Sequence, residues 1–156
     1  MPGPSPTGRT GRTASTDSGW GEFVAAAGTA YDPGVSAALR ALRGATTIDV
    51  DTPEHINERV VALLTTMFER NGIDHDDLVS MIFTATGDIH SAFPAAAART
   101  IGLGDVPLLG AQEIEVDGAT PRCIRVMIHL MTERSRTELR HVYLEGAVGL
   151  RDDLPA

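Results

Sequence analysis

Arg43, Arg99, Arg125 and Arg151 each stand at or beside the end of a predicted element, and Glu113 lies inside an otherwise apolar strand. Guanidinium groups gathered from several element ends can converge on a dicarboxylate through paired hydrogen bonds, which makes this the grouping with the clearest chemical use. Three other groupings carry less. Asp74, His75, Asp76 and Asp77 lack the alternating oxygen ligands, central glycine and terminal glutamate of a calcium loop, and read as a solvated helix start. Asp88 with His90 has no third ligand at metal spacing. Cys123 with His129 and His141 has no motif context for a nucleophile and its base; strand-type residues on both sides make the cysteine a buried thiol. No metal site is assigned.

Composition narrows the function classes. All 13 basic residues are arginine, so the abundance of arginine is no signal and each position must be argued singly. A net charge of −8 repels polyanions and excludes a non-specific nucleic-acid binder, although a local arginine cluster can still hold a small anion. The 42% apolar content is that of a globular chain, and no apolar run approaches the roughly 20 residues that span a bilayer. One cysteine excludes an internal disulfide and fits a reducing cytoplasm, the expected compartment. At 156 residues there is room for one ordinary domain and a tail, so an elaborate site must use a small core or borrow surface from a partner subunit.

The elements that must position these groups begin near Leu39. Residues 1–37 are rich in Gly, Pro, Ser, Thr and Ala without sustained period, and are expected to form a disordered extension. They contain no compact apolar stretch followed by a cleavage site, so no secretory leader is expected. Residues 38–156 form the domain. Leu39 to Val50 reads as a strand. Thr52 caps and Pro53 opens a helix with Ile56, Val60, Leu63, Leu64, Met67 and Phe68 on one face, ended by Gly72. Leu78–Thr86 is a buried strand, Pro94 to about Ile101 a short alanine-rich helix, Val106–Val116 a strand, and Arg122–Thr132 a long strand after the Asp117-Gly118 turn. Ser135 with Glu138 makes a capping-box pattern ahead of a helix to about Gly146, with Leu139, Val142 and Tyr143 facing inward, and Ala147–Leu150 a last short strand. The order β α β α β β α β implies an α+β domain, a mixed sheet with helices on one face.

Five segments in register carry a resemblance: RGATT at 43–47, SAFPA at 91–95, QE at 112–113, CIRVM at 123–127 and RHVYLEGAVGLRDDL at 140–154. Together they resemble the Bacillus-type (AroH class) monofunctional chorismate mutases, over about Leu39 to Leu154. The resemblance implies an isomerase of aromatic amino acid biosynthesis that turns chorismate into prephenate without cofactor. It also implies a homotrimer whose sheets pack as a pseudo α/β-barrel, with active sites in clefts between neighbouring subunits. It assigns Arg125 to the ether oxygen of chorismate, Glu113 to its ring hydroxyl, and Arg43 and Tyr143 to carboxylate binding. Arg99 matches an arginine at the cleft mouth, and Phe93, Ala95 and Leu150 match apolar walls. Arg151 lies near the C-terminal segment that closes over the ligand.

The chain departs from that pattern at Gly110, where a cysteine often stands, and at Ala96, where a lysine often stands; the loop from Arg99 to Pro107 is about one residue short. These changes bear on affinity rather than reaction class. The rival reading is a non-catalytic trimeric carboxylate-binding protein of similar architecture. Glu113 speaks against it, since an anion receptor gains nothing from a carboxylate beside its ligand.

Overall fold

The computed structural model describes residues 36–151. The expected extension at residues 1–37 falls outside the described residues except for its last two, as does the end of the domain at 152–156. Five strands and two α-helices follow in order: β1 (Ala38–Thr47), α1 (Pro53–Asn71), β2 (Leu78–Ala85), α2 (Pro94–Thr100), β3 (Leu108–Gln112), β4 (Cys123–Thr132) and β5 (Val142–Tyr143). Two 3₁₀ helices, His75–Asp77 and Glu145–Arg151, complete the set. No helix among the described residues is long and apolar enough to cross a membrane.

The helix signals act as their chemistry requires. Thr52 Oγ1 accepts the His55 N–H at 3.3 Å, satisfying one of the orphan donors of the first turn of α1. Gly72 ends the helix at φ 57°, a left-handed conformation that glycine adopts without steric cost. The Asp74–Asp77 stretch forms the solvated 3₁₀ start, with Asp77 Oδ2 accepting the Asp74 N–H at 3.0 Å.

The strands form one mixed sheet in the order β3-β2-β4-β1-β5. β4 runs antiparallel to both β1 and β2, while β3 lies parallel to β2 and β5 parallel to β1. Side chains alternate across the pleat, so register sorts them into two faces. Leu42, Met81, Phe83, Ile124, Val126, Ile128 and Leu130 point to the covered face and bury against Ile56, Val60, Leu63, Leu64 and Met67 of α1. Arg43, Thr84, Arg125, Met127 and Met131 alternate with them onto the other, open face. The mixed sheet with helices on one side agrees with the sequence reading.

Gly44 lets α1 come close to that sheet. A Cβ at this position would stand 2.4 Å from Met67 Sδ and 3.2 Å from Leu63 Cδ1, both in side chains without solvent exposure. Gly44→Ala is therefore an overpacking change, expected to cost about 1–3 kcal/mol. A lower denaturation midpoint in urea at unchanged slope checks it.

Two expectations fail at the C-terminal end. No helix follows Ser135: the Glu138 carboxylate accepts the Ser135 N–H at 2.7 Å as the capping pattern requires, but the chain then turns into β5. Tertiary pairing overrides the local cap, because Gly44 and Ala45 of the β1 edge take Val142 and Tyr143 as partners. A helix would have put Val142 and Tyr143 on one side; the strand buries Val142 in the core and sends Tyr143 to the open face. The expected strand at Ala147–Leu150 is instead part of the 3₁₀ helix Glu145–Arg151. Two strands are clearly shorter than expected: β1 stops at Thr47, and β3 covers only Leu108–Gln112.

Candidate active site

One transverse row of the open face organises the site. Ala111, Thr84, Arg125, Ala45 and Tyr143 are successive cross-strand partners from β3 to β5, and Ile82, Met127 and Arg43 form part of the next row. Arg125 and Tyr143 flank Ala45 on either side, and Arg43 lies two residues from Ala45 on the same face, so the three gather on one patch although 18 to 100 residues separate them in sequence.

The Glu145–Arg151 helix closes this end of the face. Arg59 of α1 forms ion pairs with Glu145 and with Asp49, the latter at 2.9 Å. The Gly146 N–H donates to Thr47 Oγ1 at 2.9 Å. Ala147 then buries against Ala45 and Cys123, with Tyr143 and Leu150 packed alongside. Between this helix and the sheet lies a cavity of about 350 Å³, lined by Arg43, Thr84, Arg125, Tyr143, Leu150 and Arg151 among others. That volume suits a small organic ligand.

Glu113 stands beside the cavity, just past β3, where its N–H donates to the Ala85 carbonyl at 2.9 Å. Its carboxylate stands 3.2 Å from Arg125 Nε in an ion pair and accepts the Thr84 hydroxyl at 2.5 Å. The Glu113 side chain is 16% exposed and that of Arg125 is 44% exposed, so the carboxylate is the sheltered member and the guanidinium the accessible one. A guanidinium paired through its Nε side with a sheltered carboxylate remains able to donate from its Nη atoms.

Of the residues singled out in the sequence, Arg43, Arg125, Tyr143, Leu150 and Arg151 meet in the cavity with Glu113 at its edge. Phe93, Ala95 and Arg99 do not line it. Phe93, at the start of α2, is 82% exposed and Arg99 is exposed near its end, while Ala95 is half-buried against the core. Thr84 was missed; alternation along β2 already places it opposite Met81 and Phe83, which was the available signal. A cysteine at Gly110 would meet nothing within 4 Å of its Cβ, so the departure there reflects no lack of space.

The weaker groupings have structural roles. Asp88 accepts the Thr86 hydroxyl and, at 2.8 Å, the Arg122 N–H, while the His90 N–H donates to Asp51 at 3.0 Å, so both residues order a loop. Cys123 is fully buried, and burial pushes its thiol up, which keeps it protonated. His129 Nδ1 shares a hydrogen bond with Ser80 Oγ at 3.1 Å, and His141 Nδ1 accepts the Arg43 N–H at 3.1 Å. β4 sets Cys123 opposite Thr47 and His129 opposite Ala41, at well-separated points of the ladder.

Residues 39–154 match the family described as chorismate mutase type I. Over 117 residues the chain is 50% identical to chorismate mutase AroH of Thermus thermophilus, covering 74% of this chain and 96% of the relative. It is 43% identical to chorismate mutase AroH of Bacillus subtilis, covering 74% and 92%. A solved chorismate mutase from Clostridium thermocellum superposes with a TM-score of 0.68 at 44% identity, covering 69% of this chain and 96% of that one. With the profile spanning the whole described domain and the relatives matched over nearly their full lengths, the chain belongs to the chorismate mutase type I family.

Proposed function

We propose that the cavity beneath the C-terminal 3₁₀ helix binds chorismate and carries its rearrangement to prephenate, with Arg125, Glu113 and Arg43 as the catalytic groups. The observation that carries this reading is the Arg125–Glu113 pair at 3.2 Å on the rim of a cavity that also holds Arg43, Tyr143 and Arg151. In the reaction one C–O bond breaks as one C–C bond forms within a six-membered array, so no nucleophile, external proton or electron carrier is called for. What remains is to select a conformer and to meet charge.

Arg43, with Tyr143, grips a carboxylate and holds the enolpyruvyl side chain over the ring, converting freedom lost on binding into reactive geometry. Arg125, paired with Glu113, donates to the ether oxygen as negative charge gathers there. Glu113 receives the ring hydroxyl. Such a sheltered carboxylate beside the anion-binding arginines fits this role and not that of a carboxylate receptor. Leu150 supplies an apolar wall, and Arg151 lies on the segment that covers the ligand.

The site is completed by a second copy of this chain. The open sheet face exposes Leu39, Leu109, Met127 and Met131, an apolar stretch continuous with the charged cavity, and packing it against neighbouring copies in a homotrimer buries it. Phe93, Ala95 and Arg99, which do not line their own chain's cavity, then face that of a neighbour. The unpaired thiol of Cys123 supports a cytoplasmic setting. The test is loss of chorismate absorbance on adding purified protein treated with a metal chelator, with the product identified as prephenate. Rapid conversion is expected; a folded trimer that binds chorismate without converting it would establish the receptor reading instead.

A further inference from the structure

β5 pairs with β1 at only two positions, Gly44 with Val142 and Ala45 with Tyr143. One residue earlier, the Arg43 N–H points toward the same edge and has no β5 backbone to receive it. It donates instead to the ring of His141, with 3.1 Å between the nitrogen and Nδ1. The imidazole thus extends the ladder by one bond, at the residue whose guanidinium enters the cavity.

His141 is itself held in place by a buried amide. Asn71, in the last turn of α1 and 2% exposed, donates from Nδ2 to the Arg140 carbonyl at 2.9 Å and accepts the Arg140 N–H on Oδ1 at 2.7 Å. Nδ2 also donates to the Met67 carbonyl at 2.9 Å, so the amide is tied to the helix as well as to the strand. A clamp on both polar groups of Arg140 fixes the backbone next to His141, and through it the origin of β5, which carries Tyr143.

We propose that His141 is a positioning residue for chorismate rearrangement, its Nδ1 taking the Arg43 N–H so that Arg43 and Tyr143 are set in one register against the substrate carboxylate. The inference rests on the cavity being the chorismate site. Only the neutral ring tautomer with its proton on Nε2 can accept at Nδ1; the imidazolium has two donors and no acceptor. The charges that act on the ring are those of Arg43 of β1 and Arg151 of the C-terminal 3₁₀ helix, while the uncharged Asn71 of α1 holds the backbone beside it. Burial, and then the charges of Arg43 and Arg151, hold the imidazole below its ordinary value of 6.5, so the accepting form prevails at neutral pH. Acidification through that lowered value removes the acceptor and adds a third cation beside two others.

The test compares His141→Leu with His141→Asn, whose Oδ1 can accept a hydrogen bond near the place of Nδ1 but does not titrate. For each protein kcat/KM for chorismate is followed from about pH 8 to about pH 5, and prephenate affinity is measured by calorimetry at neutral pH. His141→Leu is expected to lose roughly ten- to hundredfold in kcat/KM, the scale set by small misplacements of binding groups, and to bind prephenate correspondingly less tightly. His141→Asn is expected to stay within about threefold of wild type on both measures and to lack the wild-type fall in kcat/KM at acid pH. A folded His141→Leu protein with wild-type affinity and kcat/KM would overturn the proposal, as would a His141→Asn protein with the same acid fall as wild type. If His141→Leu does not fold, the Asn profile decides. Absence of turnover by the wild-type protein would sink the assigned reaction, and the ratio of prephenate affinities would still judge the role of His141.

Discussion

Arg125→Gln is expected to lower kcat about a hundred- to a thousandfold while leaving the fold and the assembly intact. The magnitude follows from the role: a preorganised donor aimed at charge that develops only in the transition state contributes about 2.7–4 kcal/mol, which appears in kcat rather than in ground-state affinity. The fold should survive because the Arg125 side chain is 44% exposed on the open face and takes no part in the apolar core under α1. Glu113 loses its guanidinium partner but retains the Thr84 hydroxyl. Steady-state kinetics with circular dichroism and sedimentation check all three points. Near-normal turnover from the folded variant would remove Arg125 from the chemistry, and a loss confined to KM would demote it to a binding group.

Mixing two weakly active proteins should raise activity above that of either. If one chain supplies the Arg125 cavity and its neighbour supplies Arg99, then Arg125→Gln and Arg99→Glu chains randomised into common trimers leave about a quarter of the sites with both residues intact. Reversing the charge at Arg99 next to a dianion is expected to cost at least about tenfold in kcat/KM by itself, since a unit charge at contact distance is worth about 1 kcal/mol even in water. Separate preparations would therefore be weak, and the mixture would rise toward about a quarter of wild-type activity after co-refolding. A mixture no better than the mean of its components would place Arg99 outside the neighbour's site.

Much of the covered side of the molecule was legible from local rules. The N-cap at Thr52, the apolar stripe from Ile56 to Phe68 and the left-handed stop at Gly72 specify α1 nearly to the residue, because capping and period are set within a few residues of chain. The open side was legible in composition but not in placement. Arg125, Met127 and Met131 sit at alternate positions of β4, yet alternation shows only that they share a face, not what faces them. The failed helix after Ser135 marks the limit most clearly. The Glu138 half of the capping box forms, and Leu139 and Val142 are buried, but an unpaired β1 edge and the Asn71 clamp on Arg140 outweigh three residues of helical pattern.

What the sequence determined by itself was the residue set: the arginines at 43, 125 and 151, the carboxylate at 113 and the tyrosine at 143, together with the strands and helices that carry most of them. Only the tertiary structure decided that Arg125 would lie against Glu113 and Thr84, that Tyr143 would join the open face, and that Phe93, Ala95 and Arg99 would stand apart from them. The physical reason is that side-chain type and periodicity act over one or two turns. The site, by contrast, is a row across strands distant in the chain, whose order β3-β2-β4-β1-β5 is selected by burial of the common core.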